Sequence, residues 1–193
     1  MKVAIIKYNA GNIRSVLFAL ERLGVKAEVT DDPGYIKSAD KVIFPGVGEA
    51  SSTMVYLKDK GLDRLLRELK QPVLGICLGK QLMCTGSEEG NTDCIGIFNV
   101  SVLRFEPVLK VPHMGWNSLQ NMKGELFRGL GKNPYVYFVH SYYVPVCNYS
   151  VADCNYIVDF TAALQKGNFF STQFHPEKSG ETGQTILKNF ICL

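Results

Sequence analysis

The apolar run Pro72-Val73-Leu74-Gly75-Ile76 leads into Cys77 and is followed at once by Leu78-Gly79-Lys80-Gln81. A Gly-x-Cys-x-Gly turn between a strand-like and a helix-like segment is a nucleophile elbow, in which the turn is so tight that side chains at Gly75 and Gly79 would collide. Such an elbow holds its central side chain above the carboxyl edge of a sheet. It therefore fixes a strand at 72–76, a helix from Leu78 and a layered α/β arrangement around them. A thiol there faces the opening of a helix, where the thiolate that does the chemistry is favoured.

The preceding half of the chain repeats that alternation. Lys2–Lys7 reads as a strand, Asn9-Ala10-Gly11-Asn12 as a turn, and Ile13–Leu23 as a helix with Asn12 as N-cap, Val16, Leu17, Leu20 and Leu23 on one face and Gly24 as the stop. Val25–Thr30 and Lys41–Phe44 read as further strands, with a turn at Asp31-Asp32-Pro33-Gly34 between them. A helical stretch at 50–69, broken at Gly61, precedes Pro72. Parallel strands with crossover helices follow, with ligands at the strands' carboxyl ends. Beyond about Thr92 the pattern becomes short extended runs, 95–105, 135–139, 150–160 and 168–174, added to the same sheet in part antiparallel, with a closing helix at 183–190. The expected fold is an open, flavodoxin-like mixed sheet with helices on both faces, built as a single domain over residues 1–193.

Composition narrows the function classes. An apolar share of 46% with 20% charged residues excludes disorder, and a net charge of +3 without a basic run argues against nucleic acid and membrane surfaces. With no signal-like or bilayer-length apolar segment, a cytoplasmic protein is expected, in which six cysteines without Cys-x-x-Cys spacing stay reduced. Neither a metal motif nor a phosphate loop is present, so no cofactor is expected.

A cysteine nucleophile needs a base, and the histidines are His113, His140 and His175. His175 lies in Gln173-Phe174-His175-Pro176-Glu177, where an extended chain would carry residues 175 and 177 on one side and let Glu177 orient the imidazole. Oxyanion donors are available from the Leu78 N–H and from Pro45-Gly46-Val47-Gly48, one βα unit earlier, whose glycines allow a peptide to turn.

The blocks 44–48, 75–81 and 173–177, in that order, resemble the signature blocks of the triad (class I) glutamine amidotransferases and span almost the whole chain. The resemblance implies that Cys77 attacks the side-chain amide of glutamine, that His175 protonates the departing ammonia and that Glu177 positions His175. It implies substrate contacts from Gly46, Val47, Gly48, Leu78, Gln81, Ser141 and Tyr142. The runs 8–13, 112–117 and 137–142 resemble the branch of that family in which the glutaminase subunit pairs with a separate (β/α)₈ cyclase subunit as a heterodimer, making imidazole glycerol phosphate in histidine biosynthesis. That branch implies an interface around Asn12, His113, Trp116, Asn117, Tyr137 and Lys178. Read without it, Trp116 sits in a loop and would more commonly be a core residue. Lys80 departs from the family pattern, which often has an apolar residue there, and Gly180-Glu181-Thr182-Gly183 departs from the common form of the last block. Two other readings stay open: a glutaminase subunit of a different pathway, which shares the three blocks, and a stand-alone cysteine hydrolase, which would need neither Gln81 nor the Pro-Gly-Val-Gly turn. The intact Cys77, His175 and Glu177 argue against a third, a catalytically silent interaction subunit.

Overall fold

The computed structural model describes residues 1–8 and 13–193. The first half runs β1 (Val3–Ile6), α1 (Ile13–Arg22), β2 (Ala27–Thr30), α2 (Pro33–Ser38), β3 (Lys41–Phe44), α3 (Ala50–Asp59), α4 (Leu62–Glu68), β4 (Val73–Ile76) and α5 (Leu78–Leu82). Strands β1, β3 and β4 are buried along their whole length, as expected for central parallel strands covered on both faces. Their side chains alternate: Ile6, Val42, Phe44 and Val73 pack with Ile36, Leu57, Leu66 and Leu82 on one face, whereas Ile5, Ile43, Leu74 and Ile76 pack with Leu20, Ile186, Leu187 and Phe190 on the other.

Local signals set most boundaries. Gly24 ends α1 at φ 73° and Gly61 separates α3 from α4 at φ 65°. The segment expected as a bare turn at Asp31–Gly34 instead opens helix α2, because the Asp32 carboxylate accepts the Tyr35 N–H at 2.7 Å and Pro33 occupies the first helical turn. The proposed N-cap Asn12 lies outside the described residues.

The second half continues with β5 (Gly86–Ser87), β6 (Thr92–Asp93), β7 (Ser101–Arg104), β8 (His113–Ser118), β9 (Tyr135–His140), β10 (Tyr142–Tyr143), β11 (Ser150–Tyr156), β12 (Val158–Lys166), β13 (Phe169–Thr172) and α6 (Gly180–Ile191). The main sheet has the order β11-β12-β13-β4-β3-β1-β2, with β13 parallel to β4 and the β11–β12–β13 side antiparallel. Not all later strands join it. β10-β7-β5-β6 form a small separate sheet, and β8 and β9 form a ribbon.

Three sequence expectations change here. The stretch 95–105 is a strand only at Ser101–Arg104, because the N–H groups of Ile95, Gly96 and Ile97 bond the carbonyls of Leu82, Cys84 and Met83 at 2.7–2.8 Å and so satisfy the end of α5. The stretch 150–160 is a hairpin, turned at Ile157 with φ 62°. The stretch around Trp116 is strand β8, its register with β9 pairing Trp116 with Tyr137 and His113 with His140.

At the carboxyl ends of β3 and β4, backbone meets backbone. A Cβ on Gly79 would lie 2.0 Å from the Phe44 carbonyl oxygen, and one on Gly46 would lie 2.3 Å from the Gly79 nitrogen. Gly79→Ala is therefore expected to destabilise by about 1–3 kcal/mol through overpacking, which corresponds to a fall in Tm of roughly 2–12 °C. Thermal unfolding followed by circular dichroism measures this, and an unchanged Tm would contradict the contact.

Candidate active site

Cys77 stands between β4 and α5 with φ 52° and ψ −105°, a backbone state that a non-glycine residue adopts only under constraint. The constraint is visible. Its N–H donates to the Thr172 carbonyl at 2.7 Å, tying the elbow to β13, and its carbonyl accepts the Gln81 N–H at 3.2 Å. A Cβ on Gly75 would fall 2.5 Å from the Met83 sulfur and 3.0 Å from the Gly79 carbonyl carbon, so both flanking glycines are required for the turn to close. Tyr8, two residues past β1, donates its buried hydroxyl to the Pro45 carbonyl and anchors the base of the 45–48 loop. Burial, with the nearby Cys77 sulfur, raises that phenol above its ordinary range.

His175 follows β13, the strand beside β4. Its Nδ1 lies 2.8 Å from Glu177 Oε1, and both side chains are almost wholly buried. The carboxylate reaches the ring through a 3-10 turn, Pro176–Lys178, rather than through the expected extended chain. That turn is held from several sides. The His175 N–H donates to the Tyr137 carbonyl at 2.9 Å, and the Ser179 hydroxyl donates to the His175 carbonyl at 2.6 Å while accepting the Tyr137 N–H at 2.9 Å. Gly183 of α6 lets the helix close onto it, since a Cβ there would lie 1.9 Å from the Pro176 oxygen.

The remaining ring nitrogen, Nε2, is buried and makes no regular hydrogen bond among the described residues. Burial alone would lower the pKa of His175, but the sulfur of Cys77 and the Glu177 carboxylate outweigh it and raise the value to about 10. The other two histidines go the other way. Burial pushes His113 down to about 4 and His140 well below its ordinary value. A Cys–His–carboxylate relay of this kind can attack a carbonyl carbon and return a proton to a leaving nitrogen.

A cleft of about 300 Å³ opens over the sulfur, lined by Val47, Gly48, Cys77, Leu78, Gln81, Ser141, Tyr142 and His175 among others. Every expected substrate-contact residue except Gly46 lines it, and Gly46 instead packs against Leu78 and Gly79 behind the wall. Gln81 Nε2 donates to the Tyr142 carbonyl at 3.0 Å, joining the elbow helix to the 141–142 wall.

A family model described as glutamine amidotransferase class-I matches residues 4–193. The chain belongs to the class I glutamine amidotransferase family. It is 62% identical over its full length to an imidazole glycerol phosphate synthase subunit HisH of Bacteroides fragilis, whose whole length is covered. Another subunit HisH, from Haemophilus influenzae, is 47% identical over 99% of this chain and 97% of its own. The fold is shared with a solved glutamine amidotransferase at TM-score 0.77 and 17% identity, covering 98% of this chain and 96% of that one. A glutamine amidotransferase from Thermotoga maritima matches at TM-score 0.66 and 17% identity, over 100% of this chain and 83% of that one.

Glu89 also lines this amidotransferase cleft, and it carries no signal in the sequence. Glu89 comes from a separate 3-10 turn, accepts the Ala50 N–H at 2.9 Å, and has its pKa raised by burial. A contact across 39 residues of chain, to Ala50, places it there, so no local motif announces it.

The expected interface residues divide. Trp116 is 56% exposed, its ring 6.1 Å from that of Tyr137, and the Lys178 ammonium lies 5.9 Å from the Tyr137 ring centre. These three form one patch, which shares strand β9 with the backbone contact to His175. Asn117 is partly buried and donates to the Asn155 carbonyl at 3.0 Å. His113 departs from the expected surface position: it is 4% exposed, stacks on Tyr156 at 4.0 Å and meets His140 Nε2 at 3.0 Å through Nδ1. The alternation along β8 turns His113 inward while Trp116 stays outside. Asn12 lies outside the described residues.

The held proton on His175 has a sign that can be tested. Because the folded value of about 10 exceeds the ordinary 6.5, its stabilisation is complete below about pH 6.5 and is lost as pH rises toward 10. At pH 7.5, nuclear magnetic resonance of labelled imidazoles should show one cationic ring, His175, and two neutral ones. Three neutral rings at that pH would contradict the coupling to Cys77 and Glu177.

Proposed function

We propose that residues 1–193 act as one glutamine amidotransferase domain, the glutaminase subunit of an imidazole glycerol phosphate synthase. The carrying observation is Cys77 on its strained elbow, in one cleft with a His175 imidazole that Glu177 holds at 2.8 Å. Full-length identity of 62% to a subunit HisH supports the pathway.

In this reading the α-ammonium of glutamine meets the Glu89 carboxylate, and its side-chain amide reaches the sulfur past Gln81. The Cys77 sulfur bonds to the amide carbon, and the carbonyl electrons move to oxygen, which takes hydrogen bonds from the Leu78 N–H and the 47–48 peptide. One such backbone donor contributes about 2.7–4 kcal/mol in the transition state. His175 gives its proton to the nitrogen, the C–N bond breaks, and ammonia leaves a thioester. Water, deprotonated by His175, attacks that carbon and releases glutamate, so glutamine and water become glutamate and ammonia.

Ammonia is useful only if an acceptor site receives it, and the relatives' names describe subunits of a synthase. The partner we infer is a (β/α)₈ cyclase that turns the ammonia and a phosphoribosyl-formimino precursor into imidazole glycerol phosphate. The Trp116, Tyr137 and Lys178 patch is the surface it would cover. No helix among the described residues is long and apolar enough to cross a membrane.

Cys77→Ser is expected to abolish glutamine hydrolysis and leave ammonia-dependent synthesis by the complex intact, because the hydroxyl is not ionised at neutral pH. Glutamate release by the variant at the wild-type rate would overturn the assignment. Trp116→Ala should weaken association with the cyclase by about 2 kcal/mol, roughly thirtyfold in Kd, while the chain stays folded. Isothermal titration reads that change, and an unchanged Kd would remove Trp116 from the interface.

A further inference from the structure

Lys80 follows the elbow glycine on α5 and is 0% exposed. A buried ammonium is costly unless it is paired or fully hydrogen-bonded, and no carboxylate lies within ion-pair distance of this one among the described residues. Its Nζ donates instead to the Thr161 carbonyl at 3.0 Å and to Gln173 Oε1 at 3.2 Å. Gln173 is itself 0% exposed. Its Oε1 accepts a second bond from Gln81 Nε2 at 3.3 Å, and its Nε2 points to the Cys77 sulfur at 3.7 Å.

An amide has one acceptor end and one donor end, and here two donors converge on the same end. With an ammonium on one side, the oxygen of Gln173 must face it, which leaves the N–H of that amide for the sulfur. Reversing the amide would set N–H against a buried ammonium and oxygen against the lone pairs of the sulfur. The Lys80 ammonium, with the Gln81 amide beside it, thus sets which end of Gln173 the nucleophile meets.

We propose that Lys80 is a positioning residue for the nucleophile: through Gln173 it presents a hydrogen-bond donor to the Cys77 sulfur, so that the thiolate form is held in line for attack. This rests on the glutaminase reading above. A charge-assisted contact to sulfur stabilises the anion more than a neutral one does. The charged and titratable groups that face Lys80 are Cys77 and Cys84 on its own segment, Cys147 before β11 and His140 on β9, and none of them is a carboxylate. Burial lowers its pKa to about 8.

Lys80→Met, Gln173→Met and the double variant separate this role from a structural one, with Cys77 alkylation by iodoacetamide read by peptide mass spectrometry on the full-length chain. Replacing a buried charge by an apolar side chain of similar length is commonly tolerated, and an unchanged Tm serves as the folding control. Each single variant should slow Cys77 alkylation at pH 7 roughly tenfold, a charge-assisted hydrogen bond in rate terms. The double variant should be no slower than either single one, because both act through one amide. Glutaminase kcat/KM of the wild type should decline above about pH 8, as Lys80 loses its proton, and Lys80→Met should lack that decline. Multiplying losses in the double variant, or a Lys80→Met protein with wild-type alkylation and pH profile, would overturn the proposal. If the wild type releases no glutamate from glutamine while Lys80→Met still slows alkylation, the glutaminase reading fails and the positioning role stands. Should Lys80→Met not fold, Gln173→Met alone decides: alkylation at the wild-type rate overturns the proposal.

Discussion

The close approach of two backbones at the carboxyl edge of the sheet is the constraint on which the rest of this molecule depends. Gly79 of α5 lies against the Phe44 carbonyl, and Gly46 lies against the Gly79 nitrogen, with no room for a Cβ at either position. That contact drives the helix start down onto the loop after β3. It brings Val47, Gly48 and Leu78 to the wall of the cleft that opens over Cys77. Side chains could not make the same approach, because each would hold the segments apart by its own radius.

Neighbouring strands then assemble the chemistry. β13 pairs with β4 in parallel, so the residues that follow both strands emerge side by side, Cys77 from one and His175 from the other. The bond from the Cys77 N–H to the Thr172 carbonyl and that from the His175 N–H to the Tyr137 carbonyl extend this arrangement to the β8–β9 ribbon. Rigidity here has a chemical consequence. In this buried, low-dielectric cleft the Cys77 sulfur and the Glu177 carboxylate raise the pKa of His175, whereas burial lowers those of His113 and His140, which have no such partner.

Sequence makes legible what is local. The elbow, the capping glycines and the His-Pro-Glu run each depend on a few adjacent residues, and all occur where those residues indicate. Strand β8 is hidden because His, Gly and Asn interrupt it, and pairing with β9 rather than propensity makes it a strand. The hairpin within 150–166 is hidden because Ile157, a β-branched residue, takes a left-handed turn that its own preferences oppose. Glu89, Gln173 and Gly183 reach the site only through contacts far apart in the chain, and no spacing rule links them to Cys77. Lys80 shows the same limit from the other side: in sequence it is an irregularity, whereas in the fold it has defined partners.

The central claim is that Cys77, alone among the cysteines, is an activated nucleophile in a glutamine-shaped cleft. A glutamine analogue that carries a diazoketone in place of the side-chain amide tests it directly, because only a nucleophile poised at that carbon reacts with it. Peptide mass spectrometry should find one adduct, on Cys77, suppressed by excess glutamine, with Cys84, Cys94, Cys147, Cys154 and Cys192 unmodified. An adduct on another cysteine, or labelling of Cys77 that glutamine does not suppress, would contradict the claim.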